Sequence, residues 1–281
     1  MLKNTLQIYL AVLTCIVLLL TPHGSDAGAF NGQDFYSGYA KLLINYVDGD
    51  GMVDYQGMKN DRAGLDRFTI ALGNFDSDVF SSMSTEYKVA FLVNAYNAFT
   101  LTLIIDNYPI QSKKLAGLRY PANSIRQISG AWDSISFKLL GKGTTLDHIE
   151  HEMLRKQFNT AGIHMALVCA AMSCPPLRNE PYYGASLDLQ LKDQTRNFIA
   201  NPDKFRIDRA KKRVYLSSIF KWFGDDFIPR YGTDKYPHLK NGQRAVINYL
   251  YPFLSAKDQQ FLQHTKYKIS FTKYDWSLNE K

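Results

Sequence analysis

One stretch limits the fold more than any other. From Ser84 to Asn107 the chain reads as a single long helix: Ser84 can cap it, Glu86 suits its first turn, and Pro109 lies just beyond its end. From Val89 to Ile105 it is apolar nearly all round. A helix that is apolar on every side must be covered on every side, so this one predicts a central core helix with other elements packed around it. Glu86, Lys88 and two asparagines argue against a membrane span. Those asparagines, Asn94 and Asn97, are spaced to share a helix face. A buried amide must find hydrogen-bond partners or cost ~1–3 kcal/mol. The pair predicts either a structural polar network or one wall of a site, where Asn97 supports an oxyanion.

Around this helix the pattern alternates. Phe35–Val47 has helical spacing, with Phe35, Tyr39, Leu42, Leu43 and Tyr46 on one side. The aspartates of Asp48-Gly-Asp50-Gly-Met52-Val53-Asp54 resemble a calcium loop, but Met52 and Val53 occupy a ligand position and the turn-glycine position, so a Gly-rich turn is the reading. Residues 113–132 look irregular. A strand is expected over Ser134–Leu140, a helix over Leu146–Phe158, a buried strand from His164 to Cys169, and a helix from Ser186 or Asp188 to Ala200. Phe205–Asp208 and Val214–Ser217 alternate about the basic turn Arg209–Arg213, a solvated hairpin turn rather than a nucleic-acid surface. A short helix through Phe220–Phe223, helices over Gly242–Leu254 and Ala256–His264, and a strand Tyr267–Phe271 complete the series. The fold class is α+β: many helices around a small mixed β-sheet. Nothing marks a linker, so residues 28–281 read as a single globular domain.

Residues 1–27 read as a signal peptide. Lys3 gives the positive start, Ile8–Leu20 is apolar and shorter than a spanning helix, and Ser25-Asp-Ala27 precedes a cut at Gly28. The protein is therefore expected in the periplasm or outside the cell, with no stable membrane insertion after cleavage. The leader holds one Lys and one Asp, so the net charge of +7 survives its removal. Cys15 lies in it, which leaves Cys169 and Cys174 to the mature chain.

The chemistry gathers in His164-Met-Ala-Leu-Val-Cys169-Ala-Ala-Met-Ser-Cys174-Pro-Pro-Leu-Arg178. An apolar run ends in one cysteine, and a second enters a Pro-Pro stop, so two sulfurs sit where the chain must turn. By position, Cys169 packs as a small hydrophobe and Cys174 is presented by the loop as the reactive sulfur. On a helical wheel, Glu150 falls inside the apolar face of Leu146, Ile149, Met153 and Leu154, which predicts burial and a partner such as Arg178 or an asparagine. His151 lies on the flank of the same helix. Four readings stay open: a Cys169–Cys174 disulfide; a Cys174 nucleophile with His151 or His164 as base and Glu150 as orienting acid; a thiol-redox pair without the C-x-x-C spacing; and a metal site from His148, His151, His164 and the cysteines.

Phe91-Leu-Val-Asn94-Ala-Tyr96-Asn97-Ala98, Ile149-Glu150-His151 with Leu154-Arg155, the cysteine segment, and the terminal Tyr274-Asp-Trp276-Ser-Leu278-Asn279 together resemble domain-of-unknown-function family 547. The likeness runs from about Val53 to Asn279. The first motif has Leu-Val where an aromatic residue and Ile are expected. The resemblance implies one domain and no established activity; relatives join this domain to other modules, some of thiol-redox type. The expectation is an exported cysteine-dependent hydrolase or acyl transferase of papain- or transglutaminase-like kind, using Cys174, His151, Glu150, His164 and Asn97 on a small-molecule or peptide substrate. No cofactor and no metal are expected. The alternatives are a non-catalytic envelope binding domain with a structural disulfide, and a thiol-redox protein.

Overall fold

The helical half of the protein is laid down first. The computed structural model describes residues 30–113, 116–158 and 160–281, so the expected leader with Cys15 lies outside the described residues. Gly32–Lys281 form one compact unit. It begins with α1 (Gly32–Tyr46), α2 (Tyr55–Asn60), α3 (Ala63–Gly73), α4 (Ser77–Ser82) and α5 (Thr85–Asn107). Every residue of α5 from Val89 to Leu101 is buried, as its apolar surface demands. Helices α2 and α3 pack against α5, and α1 packs on α3, with Tyr39 stacked on Phe68 at 4.3 Å.

The hairpin β1 (Phe137–Leu139) and β2 (Lys142–Thr144) stands where one longer strand was expected. The turn at Leu140-Gly141 breaks that run, and both residues have positive φ. Next comes a π-helix, His148–Arg155, continued by α6 (Lys156–Phe158). An α-helix was expected here. The wider i→i+5 turn is rare and concentrates at functional sites. Glu150 is nonetheless buried, at 8% exposure.

After α7 (Leu187–Ala200) come β3 (Phe205–Asp208), β4 (Arg213–Leu216), α8 (Ser218–Trp222), α9 (Ile228–Tyr231), α10 (Asn241–Leu250), α11 (Ala256–His264) and β5 (Lys268–Phe271). The sheet is mixed: β4 is central, antiparallel to β3 and parallel to β5. Val214 and Leu216 of β4 join Phe198, Phe220, Phe227 and Val246 in a second core.

The expected strand from His164 to Cys169 is absent. Ala161–Met165 is a short 3-10 helix, and the chain then runs without a strand partner to Cys169. The apolar character that suggested a strand is real, since Met165 through Val168 are buried. Short apolar runs fit several backbone states equally well, and here tertiary partners decide.

Candidate functional site

A buried backbone without secondary structure must find its hydrogen bonds elsewhere. The cysteine segment finds them on side chains. Asn97 of α5 acts as a surrogate peptide: its amide donates to Ala166 O and accepts from Val168 N, both at 3.0 Å. Asn94 does the same for Tyr182, at 2.7 and 2.8 Å. Gln194 of α7 donates to Pro176 O at 2.7 Å and Met165 O at 3.3 Å. The Lys204 ammonium reaches Cys174 O at 2.5 Å. Burial lowers the Lys204 pKa to about 8, opposed by the nearby Asp203 charge.

The turn between the cysteines is tight. Ala170 is left-handed, with φ 58°, a conformation an L-residue pays to adopt. Cys174 N donates to Ala171 O at 2.9 Å. The sulfurs of Cys169 and Cys174 lie at disulfide distance, with Cα atoms 6.3 Å apart. Cys169 N donates to the Cys174 sulfur at 3.0 Å. The Tyr274 hydroxyl lies 3.3 Å from the Cys169 sulfur and 3.1 Å from that of Cys174. Burial, and then the Glu150 charge, raise the Tyr274 pKa, which keeps its hydroxyl a donor.

The C-terminal tail delivers that hydroxyl. Leu278 bridges Ala171, Met172 N donates to Ser277 O at 2.8 Å, and Asp275 N donates to Ser173 Oγ at 2.8 Å. Asn279 anchors the end, accepting from the Tyr55 hydroxyl at 2.7 Å and donating to Gly51 O at 2.9 Å. Gly51, φ 78°, lies so close to Pro176 and Leu177 that a Cβ there would meet them at 2.6 Å. The Gly-rich turn thus seats both the tail and the Pro-Pro loop.

A cleft of about 550 Å³ opens over these sulfurs, within the usual size of small-molecule sites. Cys169, Cys174, Glu150, His151 and His164 all line it, together with Asp147 and Arg126. The chain has three tryptophans, and all of them, Trp132, Trp222 and Trp276, are on its walls.

The carboxylates and histidines there have partners. Glu150 meets the Tyr96 hydroxyl, which also contacts Trp132; burial and then the Glu150 charge push the Tyr96 pKa well up. Arg178, the partner expected for Glu150, instead pairs with Glu180 and Asp193, each at 2.5 Å. His164 is 3% exposed, stacks on Phe223, and donates from Nε2 to Asp226 at 2.8 Å. Asp226 also takes a bidentate contact from Arg155, at 2.6 and 2.9 Å. Burial works against the carboxylate, yet the bonds from His164 and Arg155 hold the Asp226 pKa well below the usual range. Arg155 donates to His151 Nδ1 at 2.7 Å. Arginine only donates, so the neutral His151 carries its proton on Nε2, which faces Asp147 at 3.8 Å.

The structure therefore gathers four of the five expected site residues and sets one apart. Asn97 is 3% exposed, and both atoms of its amide are engaged with backbone. It belongs to the polar network and is not among the residues lining the cleft. The exposure expected of the cysteines is reversed: Cys174 is 4% exposed, and Cys169 is the more open residue. The turn folds back on itself, so the later sulfur lies underneath. Among the described residues, neither histidine hydrogen-bonds a sulfur, and no group of His, Cys, Asp or Glu is arranged to hold a metal ion. Sequence reasoning missed Tyr274, Arg126, Asp226 and Lys204. For Tyr274 a signal existed in the terminal Tyr-Asp-Trp motif.

Residues 80–199 match the model of a family described as protein of unknown function, DUF547, the family that the motifs resemble. This span contains α5, the π-helix and both cysteines, while Tyr274 and Trp276 lie beyond it. No curated protein and no solved structure matches the chain.

Proposed function

We propose that this chain, whose residues 80–199 match the DUF547 family model, works by thiol–disulfide exchange at Cys169 and Cys174 on a small-molecule or peptide ligand held in the cleft. The observation that carries this reading is the sulfur pair at disulfide distance in the cleft wall, with one hydroxyl on both sulfurs. A ligand thiolate attacks the more open Cys169. The Cys169–Cys174 bond breaks, a mixed disulfide forms on Cys169, and Cys174 leaves as a thiolate with the bonding pair. A second ligand thiolate attacks the ligand sulfur of that mixed disulfide, releasing a ligand disulfide and the Cys169 thiolate. Two ligand thiols are oxidised and the bridge is reduced; a partner disulfide restores it by the reverse exchange.

The leaving sulfur is well provided for. Cys174 receives Cys169 N–H at 3.0 Å and faces the Tyr274 hydroxyl at 3.1 Å, with the Lys204 ammonium on its own carbonyl. A lower-pKa thiol leaves faster. Export to the periplasm or exterior completes the proposal, because an oxidising compartment sustains a bridged pair. The N-terminus of protein recovered from cells should then lie near Gly28.

The test is reduction of the folded protein by dithiothreitol, followed by alkylation and mass mapping. The bridge should open without unfolding, and Cys174→Ser, given a small-molecule disulfide in place of dithiothreitol, should trap a mixed disulfide on Cys169 with release of one small-molecule thiolate. Sulfurs that stay closed until the chain denatures would refute exchange and favour a binding domain with a structural disulfide.

The convergence of His151, His164 and Glu150 on the same cleft supports a second reading. In it the reduced protein is a cysteine hydrolase or acyl transferase, with Cys174 as nucleophile and either histidine as base. Active-ester hydrolysis that appears only in reductant, and is lost in Cys174→Ala and His151→Ala or His164→Ala, would establish it.

A further inference from the structure

Arg126 is the one Lys or Arg side chain among the described residues lining the cleft. Its guanidinium lies against three aromatic rings, with its carbon 4.6 Å from the Tyr120 centroid, 5.2 Å from Trp276 and 5.3 Å from Trp132. One terminal nitrogen donates to the Tyr120 hydroxyl at 2.8 Å. Nε is buried without a hydrogen-bond partner, and no carboxylate pairs with this residue among the described ones. The two imidazoles lining the cleft, His164 and His151, are already committed to Asp226 and Arg155. Ring contacts orient a guanidinium and leave its charge in place. Arg126 is thus a fixed, full positive charge with donor capacity to spare, on the wall of the cleft that holds the sulfurs.

We infer that Arg126 is the anion-binding group of the cleft and that the ligand it selects carries a carboxylate. Asp133, Asp147 and Glu150 line the same cleft, so a polyanion is repelled elsewhere, and a ligand with a single carboxylate fits the charge pattern. The inference rests on the thiol-exchange reading for the identity of the ligand's other end: a thiol or disulfide that reaches Cys169. The attack, bond breakage and release are those set out above, with the carboxylate held on Arg126 throughout.

The test separates the two ideas. Opening of the bridge is timed with three small thiols bearing a carboxylate, a hydroxyl or an ammonium group: 3-mercaptopropionate, 2-mercaptoethanol and cysteamine. Each rate is divided by that of the same thiol on a free small-molecule disulfide, which removes intrinsic reactivity. The carboxylate thiol should be favoured over the hydroxyl thiol by roughly tenfold, the ratio expected of one charge-assisted hydrogen bond. Arg126→Gln should abolish the preference. Arg126→Lys, which retains the charge, should keep part of it. An absent preference, or one that survives in Arg126→Gln, overturns the inference while mercaptoethanol opening leaves thiol exchange intact. If no thiol opens the folded protein, exchange fails, and the carboxylate site is judged on tryptophan fluorescence with 3-(methylthio)propionate: saturable quenching lost in Arg126→Gln supports it, and no quenching overturns it.

Discussion

Asn97→Ala is the substitution that best tests how the site is held. The Asn97 amide bonds Ala166 O and Val168 N–H at 3.0 Å each, and both residues are buried. No strand or helix hydrogen bond replaces them, so truncation strands one buried acceptor and one buried donor. Each unsatisfied group costs about 1–3 kcal/mol, and a small cavity adds to that. A loss of about 2–5 kcal/mol follows, a large share of the ~5–15 kcal/mol that usually holds a domain folded. Asn107→Ala is the control: Asn107 is exposed and bonds only Leu103 O of its own helix, at 2.8 Å. Its loss should stay within about 0.5 kcal/mol. The assay is urea unfolding with the disulfide intact, followed by circular dichroism and tryptophan fluorescence. Asn97→Asp should also destabilise, because it keeps the acceptor for Val168 N–H but sets an oxygen against Ala166 O. A cost below about 1 kcal/mol for Asn97→Ala, matching Asn107→Ala, would refute the surrogate-peptide argument.

Glu150→Ala should cost on the order of 1–3 kcal/mol by unpairing the buried Tyr96 hydroxyl, whereas Glu152→Ala, which removes an exposed pair with Lys156, should cost little in the same assay. Tyr274→Phe removes the one hydroxyl that touches both sulfurs and should slow bridge opening by dithiothreitol roughly tenfold, read by timed alkylation. Burial holds the Lys204 pKa at about 8 in the folded state, below its ordinary value of 10.5, so the unfolded chain binds more protons between those limits and stability rises with pH there. The wild-type stability minus that of Lys204→Met should therefore increase by on the order of 2–3 kcal/mol from about pH 8 to about pH 10, and a flat difference would contradict the burial argument.

What the sequence made legible is what short-range pattern encodes. The α5 helix, the β3–β4 hairpin and α7 lie where periodicity and turn residues put them, and Glu150 is buried where the wheel set it. The π-helix was not legible, because an i→i+5 register leaves the same apolar spacing as a short α-helix. The order of the cysteines was misjudged for a related reason. Sequence position says which sulfur enters the loop first, not which one the loop folds over. Tyr274 and Arg126 reach the cleft from segments 100 and 48 residues away from Cys174, counting 274 − 174 and 174 − 126. Such meetings are tertiary: the terminal Tyr-Asp-Trp motif singles out Tyr274 without saying where it sits, and Arg126 has no local signal at all. The paired asparagines were legible as a problem, two amides in an apolar helix, and only the fold supplied the answer.

The missing strand is itself the key to the site. In a β-ladder the backbone N–H groups of successive residues are shared out to the neighbouring strand or left facing away from it. Cys169 N–H would then be spent on pairing or held in the plane of the sheet. Outside a sheet it is free to turn onto the Cys174 sulfur, and the left-handed Ala170 brings that sulfur back beneath it. The irregular backbone is affordable only because Asn97, Gln194 and Lys204 satisfy the groups that a ladder would have paired. Side-chain amides thus do the structural work of a strand while leaving one N–H for chemistry. The same freedom opens the segment's other edge to the C-terminal tail, which pairs with Ala171 and Met172 and carries Tyr274 to the sulfurs. A regular strand ending in Cys169 would have kept the fold and lost the arrangement of donors around Cys174.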